Sequence, residues 1–404
     1  MINLEIPKKF KPLASQANQV ASEVFRPISR KYDEAEHSYP KELDMLASLI
    51  DGMNEGSDIG GAGAAGVRRS SNDEGDESNR NGSNLSTVLG IIELCWGDVG
   101  LLLSMPRQGL GNSAIASVAS EEQLERYGGK WAAMAITEPE AGSDSASIRT
   151  TAELDGDEYV LNGEKIFVTS GDRAELIVVW ATLDRSKGRA AIKSFIVERD
   201  NPGLKLDRLE HKLGIRASDT ANFTLQDCRV PKEALLGSPE IDVKQGFGGA
   251  MQTFDNTRPL VAAMAVGVAR ASLERARELL AEAGVEIDYT APALSQPAAV
   301  ARFLEMEADY EAARLLTLHA AWMADNSKPN SLQASMAKAK AGRTCVDVAL
   351  GCVELCGAAG YGEDELLEKW ARDAKILDIF EGTQQIQLLI VARQLLGKSS
   401  TELR

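Results

Sequence analysis

Histidine and cysteine are scarce in this chain, three and five among 404 residues. His37, His211 and His319 lie far apart in sequence and set up no ligand spacing, so no metal site is expected. Five cysteines do not make a disulfide framework. Cys345, Cys352 and Cys356 fall on one helical face, which reads as thiols buried in a helix seam. Basic residues are also short, 44 Lys and Arg against 60 Asp and Glu, a formal net charge of -16. That balance argues against nucleic acid, whose recognition needs clustered cations. No apolar run approaches the length of a membrane span, and the N-terminus shows no signal-peptide segment, so the expected location is the cytoplasm.

What the chain does have is a sizeable core fraction, 44% apolar residues beside 26% charged, and length for about two or three domains. Residues 1 to about 50 carry helical stripes, with Pro40 opening a short run. The segment 51–84 is rich in glycine and polar residues and reads as a flexible insert, because it has little apolar surface to offset ordering entropy. Helix resumes over 85–105 and 121–127. From Trp131 the period changes to two. Strands are expected at 132–137, 149–154, 158–161, 165–169, 176–183, 192–197 and 222–225, with Asn162-Gly163 as a hairpin turn. No G-x-G-x-x-G follows a strand. After Gly246 the stripes are helical again, at 248–284, 296–326, 331–356, 364–377 and 383–396. The fold class is therefore α+β in three parts: an N-terminal helical domain (1–131), a middle β domain (132–242) and a C-terminal helical bundle (243–404).

Three stretches carry the chemistry. Glu381 follows Ile379 and Phe380 and precedes Gly382-Thr383, where a helix is expected to start. A carboxylate among apolar neighbours loses hydration and becomes a stronger base, although many acids near helix starts only complement the helix dipole. Phe167 and Thr169 are two apart on a strand and share a face, an aromatic plane beside a hydroxyl that suits a flat heterocycle, or simply a half-buried strand. The loop Thr137 to Asp144 places Gly142 and Ser143 at a strand end, where N–H groups can hold phosphate oxygens, while Glu138, Glu140 and Asp144 work against an anion.

Five segments occur in one order: Ile136-Thr-Glu-Pro-Glu-Ala-Gly-Ser-Asp144, Asn162-Gly-Glu-Lys-Ile-Phe-Val-Thr-Ser-Gly171, Leu213-Gly-Ile-Arg-Ala-Ser-Asp-Thr220, Phe254-Asp-Asn-Thr-Arg-Pro259 and Ile379-Phe-Glu-Gly-Thr-Gln-Gln-Ile-Gln387. Together they resemble the acyl-CoA dehydrogenase family over nearly the whole chain. The resemblance implies FAD as cofactor and an acyl-CoA thioester as substrate. Glu381 matches the family's catalytic base, which removes the α-proton while the flavin accepts the β-hydride. Met134, Thr137, Ser143, Phe167, Val168, Thr169, Thr383, Gln384 and Gln385 match FAD contacts. Ser143, Asp255, Arg258 and Gly382 match substrate contacts. Some relatives carry their base on the helix of Phe254 to Arg258, where this chain has Thr257, which cannot serve. The resemblance further implies electron transfer to an electron-transfer flavoprotein. An acyl-CoA oxidase, a flavin monooxygenase and a largely non-catalytic subunit remain as alternatives on the same fold.

The chain departs from the family at two places. The turn Ala283 to Gln296 has neither the Arg nor the Phe-Gly that relatives donate to a neighbouring subunit's FAD. Glu354, in Glu-Leu-Cys-Gly-Ala-Ala-Gly360, stands where relatives have glutamine, and an acid repels a pyrophosphate. Both losses fall on the donated half of a shared site. An α2β2 tetramer with a second subunit that supplies the missing Arg is one expectation, and a homotetramer with a diverged site is the other. Heteromeric relatives suggest a bulky acyl group, such as a steroid side chain.

Overall fold

The computed structural model describes residues 6–54, 81–107, 110–241, 248–399 and 402, with the side chains of 49–54 and 248–256 outside that description. Most of the insert expected over 51–84 lies outside the described residues. Its two ends are helical, because one helix runs on to Asn54 and the next begins at Ser83.

The N-terminal part is helical: α1 Lys11–Val20, then a π-type turn at Ala21–Phe25 into α2 Arg26–Glu34, α3 Glu42–Asn54, α4 Ser83–Gly97, α5 Val99–Leu103, α6 Leu110–Val118 and α7 Glu121–Tyr127. Local chemistry sets several of these ends. Pro12 sits in the first turn of α1, where its missing N–H costs nothing. Asp98 caps α5 by accepting from Leu101 N at 2.8 Å. Ser120 and Gln123 form a capping box on α7. Helix α6 was not expected, since Leu-Gly-Asn-Ser-Ala-Ile-Ala-Ser-Val shows no clear stripe.

Seven strands follow, β1 Ala132–Ala135, β2 Thr151–Asp155, β3 Glu158–Thr169, β4 Leu176–Thr182, β5 Ile192–Glu198, β6 Leu204–Leu209 and β7 Thr220–Pro231. They form one mixed sheet in the order β1-β4-β2-β3-β7-β6, with β5 also on β4 and β1 running parallel to β4. The expected turn at Asn162-Gly163 is corrected: both residues lie inside β3. The hairpin closes instead between Asp155 and Glu158, which pair with each other, and Gly156 takes φ +66°. Gly163 is needed for another reason. It sits at a register shift on β7, and a Cβ there would fall 2.4 Å from Thr150 Oγ1.

The C-terminal part holds α8 Gly248–Glu282, α9 Ala298–Asp325, α10 Ser331–Tyr361, α11 Leu367–Leu377 and α12 Gln384–Leu396. Helix α10 packs against the other four. By length and composition it could cross a bilayer. Here it is the central helix of the bundle, with Ser335, Lys338 and Thr344 buried along it. Cys345 and Cys352 are buried in its seam as free thiols.

A buried charge cluster joins the three parts. Lys369 of α11 reaches Asp98 at 2.8 Å and Asp373 at 2.6 Å, and all three side chains are inaccessible to solvent. Asp98 also accepts from Ser29 of α2. Asp373 accepts from the N–H of Ile215 in the β6–β7 loop at 2.5 Å. The middle part is thereby pinned to the helix that leads into Glu381. Sequence reasoning saw no relation among these positions, which are separated by up to several hundred residues.

Candidate active site

Glu381 sits in the turn between α11 and α12, and Thr383 caps α12 by accepting from Ile386 N at 3.4 Å. The turn is conformationally costly. Glu381 has φ +55° and Gly382 φ +94°, so a non-glycine residue is held in the left-handed region. Buried donors hold it there. Lys338 Nζ donates to the Gly382 carbonyl at 2.6 Å, and Gln387 Nε2 donates to the Glu381 carbonyl at 2.9 Å. Gly382 can be nothing larger, since a Cβ would meet Gln387 Nε2 at 2.4 Å.

The carboxyl group is enclosed by protein, although the residue keeps some open surface. Burial pushes its pKa up; opposing that, Thr257 Oγ1 donates to Oε2 at 2.8 Å, and the charges of Arg258 and Lys338 favour the carboxylate. The outcome is a carboxylate that is more basic than an exposed one and still ionisable. Phe380 packs on the core beside it, while Ile379 is partly exposed.

Arg258 is buried beside this group, so its charge bears on Glu381 and Lys338. The side chain of Asp255 lies outside the described residues. Gln384, with its amide oriented to suit its neighbours, donates to Ala339 O at 3.0 Å and Asp378 Oδ1 at 3.1 Å, whereas Gln385 is exposed.

The second cluster lies on the sheet. In a straight strand Lys165, Phe167 and Thr169 would share one face. Lys165 is instead 1% exposed and Phe167 58%. A bulge explains this: the register against β7 shifts between Lys165 and Val168, and Phe167 takes φ +59°. Val168 then points into the core, and only its main chain can serve a ligand. Asn222 Oδ1 accepts from Phe167 N at 3.1 Å and fixes the bulge. The hydroxyl of Thr169 makes no hydrogen bond among the described residues. An exposed aromatic ring on a braced bulge, next to an unengaged hydroxyl, fits a planar heterocycle with a hydrogen-bonding edge.

The loop after β1 is wired to this bulge, because Ile166 N donates to Thr137 O at 2.9 Å. Met134 is half-buried under the loop, and Gly142 and Ser143 are exposed on it. The expected repulsion from its acids is largely removed. Glu138 is buried and receives Lys165 Nζ at 2.6 Å, Thr150 Oγ1 at 2.6 Å and Arg149 N at 2.5 Å. Burial alone would raise its pKa, but these partners hold it below the usual range. Glu140 is paired with Arg149. Glu140 and Asp144 are both exposed, and Ser147 donates to Asp144.

Two further placements were not legible. His37 and His211, scattered in sequence, come together with ring centroids 5.1 Å apart, and Glu36 joins them. Glu36 Oε2 lies 2.9 Å from His211 Nδ1, within hydrogen-bond distance. The turn Ala283 to Gln296 is closed on itself: Gln296 accepts from Asp288 N at 3.1 Å and donates to Asp288 O at 2.8 Å. It presents Tyr289 and Leu294 to the outside, Leu294 at 98% exposure, and Glu354 is also exposed.

Comparison with known proteins shows the family. Residues 133–228 match the middle domain of acyl-CoA dehydrogenase, and residues 244–396 match its C-terminal domain. The short-chain specific acyl-CoA dehydrogenase of Mus musculus mitochondria is 33% identical over 98% of this chain and 92% of its own length. The structure of butyryl-CoA dehydrogenase from Megasphaera elsdenii superimposes with a TM-score of 0.80 at 30% identity, covering 98% of this chain and all of the other. A chain in the structural work on the electron transferring flavoprotein of Acidaminococcus fermentans, directed at flavin-based electron bifurcation, has a TM-score of 0.78 at 33% identity and covers 98% of this chain and all of its own. With its three-part fold, its enclosed carboxylate and these relatives, the chain belongs to the acyl-CoA dehydrogenase family of oxidoreductases.

Proposed function

We propose that the chain performs the FAD-dependent α,β-dehydrogenation of an acyl-CoA thioester, with Glu381 as the base. The observation that carries this reading is the state of Glu381. Burial raises its pKa and makes it a stronger base, while the hydrogen bond from Thr257 and the charges of Arg258 and Lys338 oppose that rise and favour the carboxylate. The reaction takes the α-proton onto Glu381, which becomes a carboxylic acid. Phe167 and Thr169 would hold the flavin ring, with Met134, Thr137 and Ser143 on the adjacent loop. Thr383, Gln384 and Gln385 would meet the cofactor at the start of α12. Bound FAD would supply the acceptor for the β-hydride. The N–H of Glu381 has no partner among the described residues, which suits it to the thioester oxygen as negative charge develops there.

The relatives named short-chain and butyryl-CoA dehydrogenases favour a short acyl group over the steroid side chain considered above. The likeness to the chain studied with an electron transferring flavoprotein favours such a protein as the electron acceptor. The assembly proposed is a tetramer. The exposed Leu294 and Tyr289 on a turn without Arg favour an α2β2 form, in which an unlike subunit completes the FAD held here.

Adding acyl-CoAs of increasing length to the FAD-loaded protein without oxygen tests the reaction. Bleaching of the flavin that is fastest with short chains is the expected result, and no bleaching with any acyl-CoA would refute it. Rapid reoxidation by oxygen would assign an oxidase instead. Full, tightly held FAD in the chain purified alone would overturn the α2β2 form.

A further inference from the structure

Lys338 is one of the largest fully buried side chains among the described residues, and among them it forms no ion pair with a carboxylate. It lies on α10 one turn before Gly342, the residue that lets α10 close on the end of α11: a Cβ at Gly342 would stand 2.7 Å from Leu377 O. The ammonium therefore faces the Asp378–Gly382 turn at short range. Its one hydrogen bond within the described structure goes to a main-chain carbonyl, that of Gly382, at 2.6 Å. An isolated buried ammonium is costly, and a carbonyl dipole alone offsets little of that cost. Charge offsets part of the rest: Asp378 first, then Glu381, against the repulsion of Arg258. Asp378 is itself drawn to Arg343 at 3.2 Å and Lys375 at 3.5 Å. Among the described residues Glu381 has no comparable outer partner, its neighbours being Thr257, Arg258 and Lys338.

We propose that Lys338 is a positioning residue for Glu381: its hydrogen bond to Gly382 locks the left-handed turn that presents the carboxylate, and its charge favours the carboxylate over the acid. The inference rests on Glu381 being the base. The two parts of the role are separable. A neutral donor that still reaches Gly382 keeps the lock and loses the charge, and an apolar side chain loses both. Burial holds the Lys338 pKa down to about 8, so its charge can be removed in mild alkali without mutation.

The test combines titration and kinetics on the full-length, FAD-loaded protein. The Glu381 carboxyl is followed by infrared difference titration, its band assigned by its loss in Glu381→Gln. In Lys338→Gln the carboxyl should titrate at higher pH than in the wild type. The rate of flavin bleaching at a fixed pH on the acid limb should fall about tenfold, the effect of losing one nearby charge. In Lys338→Met the plateau rate at high pH should fall as well, because the turn is no longer held. In the wild type, with no variant needed, the Glu381 carboxylate band should shift as the pH passes through about 8. An unmoved Glu381 titration in Lys338→Gln, or a wild-type band that stays fixed through that range, would overturn the proposal and leave Lys338 a structural clamp. If Glu381→Gln itself keeps bleaching, the base assignment fails, while the titration still reports whether Lys338 governs Glu381.

Discussion

Thr257 Oγ1 donates a 2.8 Å hydrogen bond to Glu381 Oε2, across 124 residues of sequence. The helix of Thr257 thus supplies a hydroxyl to the carboxylate proposed as the base. Hydrogen bonding to the ionised form favours it, so Thr257 works against the burial that raises the Glu381 pKa. Thr257→Val removes about 1.5 kcal/mol of charge-assisted hydrogen bonding. The acid limb of the bleaching rate should move to higher pH, with about a tenfold loss at a fixed pH on that limb. An unchanged pH profile would show that the bond does not bear on the base.

The same burial has a consequence for stability. The folded-state pKa of Glu381 is raised above its unfolded value. An acid shifted upward favours the folded state only when protonated, so ionised Glu381 costs stability at neutral pH. Glu381→Gln should therefore melt at a higher temperature than the wild type near neutrality. The gap should close as the pH falls below the ordinary glutamate range. Thermal melts at several pH values check both parts, and a less stable variant at neutral pH would contradict the sign.

Much of this architecture was legible from periodicity. The helices α8 to α12 lie within a few residues of the stripes that announced them. A long amphipathic helix must bury its stripe wherever it packs. The start of α12 near Thr383 was readable from the helical spacing of Ile386, Leu389, Ile390 and Leu396. The hairpin was misplaced because Asn-Gly serves tight turns and also bulges, and the choice at Gly163 was made by Thr150, a neighbour in space that no local pattern names. That Phe167 and Thr169 share a face was read from strand alternation, but the exposure of Phe167 was not. The bulge that turns it away from Lys165 is fixed by Asn222 on another strand. Lys338, like Asp98 and Lys369, was invisible, because a buried charge looks like any surface charge until its partners are assembled.

The cluster Lys369, Asp98 and Asp373 makes its own prediction. Its three side chains are buried and mutually paired, and Asp373 also holds Ile215 N. Lys369→Met would leave two carboxylates without their cation, a change that costs about 3–5 kcal/mol. Chemical denaturation should show a midpoint well below the wild type. An unchanged midpoint would mean that the three parts are held together elsewhere.

Phe167 offers the opposite test. Its ring is largely exposed, so Phe167→Ala removes little buried surface, and stability should change by less than about 1 kcal/mol. If the ring covers a flavin, the variant should lose bound FAD on gel filtration while its melting temperature, measured without added FAD, stays close to that of the wild-type apoprotein. Retention of the wild-type amount of FAD would place the flavin away from this bulge.

The central claim is that Glu381 removes the α-proton, and one measurement addresses it directly: anaerobic bleaching of the flavin by a short acyl-CoA in Glu381→Gln. Gln is close in shape and cannot accept the proton. The account predicts that FAD stays bound, acyl-CoA still binds, and bleaching is lost. Bleaching at a rate near that of the wild type would contradict it.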